Sequence, residues 1–80
     1  MKIQPVSITT KGGYKATIRE IDETDTDCFV GTLQGGMYDL ISARWNLSGI
    51  CRGQTDNCNI DMNQPELEEL LRLKKMNAQS

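Results

Sequence analysis

Residues 45–61, WNLSGICRGQTDNCNID, hold the densest collection of side chains able to do chemistry. The stretch carries Cys51 and Cys58, two of the three cysteines, the sequon Asn46-Leu47-Ser48, and Asn57, Asn59 and Asp61 at alternate positions. Carboxylate and amide oxygens at such spacing are the ligands of a calcium loop. That loop also needs a glycine after its third ligand and a bidentate glutamate further on. Neither stands at those positions. The polar residues alternate instead with Cys58, Ile60 and Met62, which is the period of a strand with one buried face, so residues 57–63 are expected to be a strand. Ahead of it, GQTD at 53–56 has the composition of a four-residue hairpin loop. If Arg52 pairs with Asn57, Cys51 stands opposite Cys58, with Cβ atoms roughly 4.5–5.5 Å apart. The pair reads either as two small apolar groups packed in a core or as a redox-sensitive thiol pair. Three cysteines without a histidine or a Cys-x-x-Cys make no zinc site.

The remaining inventory points away from catalysis. The chain has no histidine, no Gly-x-Ser-x-Gly and no phosphate loop, and so lacks the usual nucleophile–base and phosphate-binding sets. No cofactor and no metal are expected. With nine basic and eleven acidic residues, the net charge of −2 lacks the basic surplus of a protein built to neutralise phosphates. A local basic strip is compatible with it: Lys15, Thr17 and Arg19 fall on one face of a strand whose other face takes Tyr14, Ala16 and Ile18. The acidic run Asp22–Asp27 reads as a solvated connection. No stretch approaches the ~20 apolar residues of a membrane span, and the N-terminus lacks the pattern of a secretory signal. A cytoplasmic address with reduced cysteines is therefore expected, and the sequon carries no weight.

These residues need a scaffold, and eighty residues make one domain, 1–80, with a thin core. Gly-Gly pairs at 12–13 and 35–36 sit between alternating segments and punctuate two hairpins. One joins Ile3–Thr9 to Tyr14–Ile21, and the other joins Cys28–Leu33 to Met37–Arg44. Residues 41–51 alternate throughout, but Asn46 and Gly49 occupy the first and last positions of a type I turn, and a turn is favoured there. Trp45 is the largest apolar side chain and the expected core anchor, with a surface stacking platform as the other reading. The C-terminus changes period. Pro65 suits a first helical turn, Glu66, Glu68 and Glu69 follow at the positive end of the dipole, and Arg72, Lys74 and Lys75 stand toward the other end. A helix over 65–76 follows, with an apolar stripe of Leu67, Leu70 and Leu71 extended by Leu73 and Met76. It is too short to persist alone, so the stripe must pack on the sheet of residues 1–63 or on another chain.

The segments GGYKATIREID, FVGTL, ARWNLSG and NIDM, spanning residues 12–62, resemble the small β-domain proteins of unknown function carried by phages and bacterial mobile gene cassettes. The resemblance implies a small curled antiparallel sheet or SH3-like barrel, a cytoplasmic setting in a bacterium or phage, and an accessory role. It brings no catalytic or binding residues.

The expected fold is thus mainly β with one C-terminal helix: an antiparallel sheet of five to six strands, strongly curled. Two functions fit it. The leading one is a non-enzymatic protein-interaction module, with a homodimer among its forms, contacting its partner through a sheet edge and through Leu67, Leu70, Leu71 and Met76. The alternative is a nucleic-acid-binding barrel using Lys15, Thr17 and Arg19, with Tyr38 and Trp45 exposed for base stacking.

Overall fold

A computed structural model describes residues 1–79, with side chains described through Met76. Four strands, β1 (Lys2–Thr9), β2 (Lys15–Ile21), β3 (Phe29–Gly35) and β4 (Tyr38–Trp45), form one antiparallel meander in the order β1-β2-β3-β4. Both expected hairpins are present, with their turns at the Gly-Gly pairs. Among the described residues one α-helix, α1 (Glu66–Gln79), follows the sheet.

Side-chain alternation decides which face is buried. Ile8, Ala16, Leu33 and Ile41 stand in one row across the four strands, and Val6, Ile18, Gly31 and Ala43 in the next. Ile21, Phe29 and Trp45 complete the inner face, all sealed from solvent. Gly31 is where the sheet is tightest, because a Cβ there would collide with the Thr17 carbonyl. Only glycine lets β2 and β3 approach so closely.

After Trp45 the chain leaves the sheet through the expected turn. The Gly49 N–H donates to the Asn46 carbonyl at 2.9 Å, and Gly49 takes φ 82°, which suits its lack of a side chain. The Asn46 side chain accepts from the N–H groups of Ser48 and Ile50, so the sequon asparagine is a turn former here.

Two expectations about the sheet are corrected. It has four strands, and residues 57–63 are not a fifth: Asp56–Cys58 form a 3-10 turn, and beyond it only Ile60 makes an isolated bridge, to Thr10. The alternation survives for Cys58 and Ile60, both buried, but Met62 is exposed. The physical reason lies in where the backbone groups go. Lys11 and Gly12 donate to the carbonyls of Asn59 and Asn57, Asp61 donates to Thr9, and Ile60 donates to Gly49. The segment spends its hydrogen bonds on two separate neighbours and forms a continuous ladder with neither. Among the described residues β1 and β4 do not pair, so the sheet is not closed.

The helix lies on the inner face beside β1. Leu67 and Leu70 join the same cluster as Ile8, Trp45 and Ile60, and Leu73 packs against it. Gln64 anchors the entry to the helix: its side chain accepts from the Thr9 N–H at 2.9 Å and donates to the Thr9 carbonyl at 2.7 Å. Among the described residues, no helix is long and apolar enough to cross a membrane.

Candidate interaction surfaces

The apolar stripe of α1 is divided. Leu67 and Leu70 are used by the chain's own core, whereas Leu71 and Met76 are about half exposed, at 44% and 53%. A helix has one line of closest approach to a sheet, and positions 67 and 70 lie on it, while Leu71 is rotated off it by one residue. What the helix leaves on the surface is therefore the flank of the stripe.

The thiols fall inside. Cys28, Cys51 and Cys58 are free and buried. Cys51 is not in a hairpin with Cys58; its ladder partner is Trp45. Even so, residues 49–51 and 59–60 are joined by hydrogen bonds. Ile60 N–H donates to the Gly49 carbonyl at 2.8 Å, and Cys51 N–H donates to the Asn59 side-chain oxygen at 2.9 Å. Burial pushes the Cys51 thiol up to about 11, and the neighbouring Cys58 adds to the shift. Burial also raises Cys28. Such thiols are protonated at neutral pH and react slowly. The Trp45 indole N–H donates to the Cys58 carbonyl at 2.9 Å, so the tryptophan is a core anchor with its polar atom satisfied.

The acidic run Asp22–Asp27 is not a bare solvated loop. Arg44 reaches Asp22 at 3.1 Å and Asp25 at 3.5 Å, Arg52 pairs with Asp25 at 2.6 Å and with Asp27, and Lys74 of α1 reaches Glu23 at 2.8 Å. Asp22 accepts from the hydroxyl and the N–H of Thr24. These two bonds, ahead of the Arg44 guanidinium, hold its carboxyl down at about 2. The run thus ties the β2–β3 connection to β4 and to the helix. Sequence reasoning missed the pairing because its partners lie far along the chain. Among the described residues no cluster of side chains is arranged to hold a metal ion.

Lys15 and Arg19 are exposed on the outer side of the sheet, but Thr17 between them is 8% exposed. Its direction is as expected and its exposure is not, because β2 is a central strand flanked by Ser7 and Thr32. Of the two stacking platforms expected for a nucleic-acid surface, Trp45 is sealed in the core. Tyr38 packs edge-to-face on Tyr14, with ring centroids 5.7 Å apart.

A further surface, at the β3–β4 hairpin, carries no signal in the sequence. Leu33 pairs with Ile41 and Gly35 with Tyr38, so β4 holds one more residue than β3 across this interval. The bulge is taken up at Leu40, the one non-glycine residue with positive φ among those described, at 63°. Leu40 is 60% exposed and nearby Met37 86%. A left-handed leucine costs roughly 1–2 kcal/mol, and glycine is the usual occupant of such a bulge.

No family model matches this chain, and no curated protein or solved structure does either.

Proposed function

We propose that the protein is a non-enzymatic interaction module that pairs with a second copy of itself along the open half of β4. The observation that carries this reading is Leu40, held in a strained conformation that turns a large apolar side chain into solvent beside Met37. Strain of this kind persists where the surrounding structure imposes it, and it concentrates at functional positions.

The backbone supports the same surface. Arg52 N–H donates to the Arg44 carbonyl at 3.0 Å, so Arg44 faces away from β3. Antiparallel alternation then turns the N–H and C=O of Ser42 outward as well. Among the described residues, the bonds onto this edge stop at Arg44. Residues Tyr38–Ala43 therefore present an unpaired edge with Met37 and Leu40 as apolar contacts. An edge of this kind pairs readily with another strand. Two copies related by a two-fold axis would pair β4 with β4 antiparallel, an arrangement that closes on itself.

Sedimentation equilibrium across a hundredfold concentration range tests the proposal. Wild-type protein is expected to pass from monomer to dimer, and Leu40→Lys, which places a charge at the edge, to remain a folded monomer. A wild-type chain that stays monomeric throughout, or a variant that dimerises equally well, overturns it.

A further inference from the structure

The outer face of the sheet is a second surface, opposite the helix and remote from the β4 edge on its β1–β2 side. Ser7, Thr17, Thr32 and Ser42 stand in register, one from each strand, as a row of hydroxyls spanning roughly 14 Å at the usual strand spacing. The neighbouring row is Thr9, Lys15 and Gln34. Arg19 is exposed at the bulge of β2 further along, roughly 13 Å from Lys15.

Charge is segregated along the chain, with the basic share in the first hairpin, although Glu20 stands beside Arg19 in register with Lys2 and Val30. Residues 1–21 hold four basic side chains against one acidic, a net +3, while the rest of the chain holds five against ten, a net −5. Arg44, Arg52, Arg72 and Lys74 are all in ion pairs, but among the described residues Lys2, Lys11, Lys15 and Arg19 are in none. Outside the first hairpin the basic groups are thus in ion pairs except Lys75, while those of the first hairpin are in none among the described residues.

We infer that this face binds a short acidic segment of another protein, its carboxylates meeting Lys15 and Arg19 and accepting from the hydroxyl row between them. A second copy is a poor occupant. The acidic start of α1 lies on the opposite layer, so joining it to this face of another copy is a head-to-tail contact that propagates without closing. A nucleic acid is also disfavoured. Phe29 and Trp45 are buried and the two tyrosines pack on each other, so bases find no platform. A long polyanion would also run past a patch this small onto a surface carrying net −5, whereas a short peptide meets the patch alone. The domain measures only 38 × 23 × 20 Å, and at about 0.01 M salt the screening length of about 30 Å spans most of it, so that repulsion is felt across the molecule.

Fluorescence anisotropy with a labelled polyglutamate peptide of about four residues, matched to the roughly 13 Å between Lys15 and Arg19, and a ten-nucleotide oligothymidylate, each at about 0.01 M and about 0.15 M salt, tests the inference. The peptide is expected to bind more tightly than the oligonucleotide and to weaken with salt. Lys15→Glu/Arg19→Glu should reduce its affinity at least tenfold at the lower salt. Lys75→Glu, on α1, changes the net charge by the same two units as Lys15→Glu alone and should have a much smaller effect than that single variant. Circular dichroism establishes that the variants are folded, as exposed positions allow. The inference is overturned by absence of peptide binding at low salt, by tighter binding of the oligonucleotide, or by equal losses in Lys15→Glu and Lys75→Glu.

Discussion

Leu40 allows the strain in β4 to be measured separately from the contacts of its side chain. Leu40→Ala and Leu40→Gly both remove the isopropyl group of a side chain that is 60% exposed in the wild-type protein and differ by one methyl, so their lost packing nearly cancels in the comparison. They differ in the backbone. At an ordinary strand position glycine is less stable than alanine by roughly 0.5–1 kcal/mol, because it gives up more freedom on folding. At φ 63°, alanine retains the left-handed cost of roughly 1–2 kcal/mol and glycine does not. At the middle of both ranges the balance inverts the usual order and leaves Leu40→Gly more stable by about 0.75 kcal/mol. For a domain of this size that is a separation of about 3–6 °C in melting temperature. Melts at low concentration, where self-association does not contribute, provide the assay. If Leu40→Ala is as stable as Leu40→Gly or more so, the residue is not strained, and the argument built on it fails.

Three other outcomes are expected. Leu70→Ala should cost roughly 2–5 kcal/mol, as for a sealed leucine, and Leu71→Ala under about 1 kcal/mol; denaturant titration distinguishes them, and equal losses would contradict the division of the helix stripe. Asp22 has its folded pKa depressed from 3.8 to about 2, so its contribution to stability is complete above about pH 4 and is lost as pH falls through about 2. Melts between those values should fall less steeply for Asp22→Asn, and identical slopes would show that the loop interactions do not matter to folding. Native protein at about pH 8 should resist iodoacetamide, because all three cysteines are buried and burial raises the thiols of Cys28 and Cys51. Under mild oxidation with slow opening, Cys51 should link to its neighbour Cys58 and not to Cys28; a dominant bond to Cys28, by peptide mapping, would refute that proximity.

What the sequence made legible was local. Gly-Gly pairs between alternating segments placed both hairpins, Asn46 and Gly49 placed the turn, and the change from period two to helical spacing after Pro65 placed α1. Each signal is contained within a few residues, and local chemistry was enough to decide it. Cys58 and Ile60 alternate as a strand would, yet they are buried from a segment whose hydrogen bonds go to two different neighbours. Burial pattern and ladder formation are separable, and only the first is written in the sequence. The pairing of Asp22–Asp27 with Arg44, Arg52 and Lys74 was illegible because it joins groups about twenty to fifty residues apart. The bulge at Leu40 was the least accessible, since a leucine is the wrong residue for a left-handed position. It was found only as a departure of the backbone from what its side chain prefers.

The most direct measurement of edge pairing is amide hydrogen exchange at Ser42 as a function of protein concentration. Its N–H points away from β3 and should exchange rapidly in dilute solution, becoming protected as dimer forms. The Ala43 N–H, directed at β3, should be protected at every concentration. If the protein associates while Ser42 exchanges at an unchanged rate, the copies meet through some other surface, and the β4 edge is not the interface.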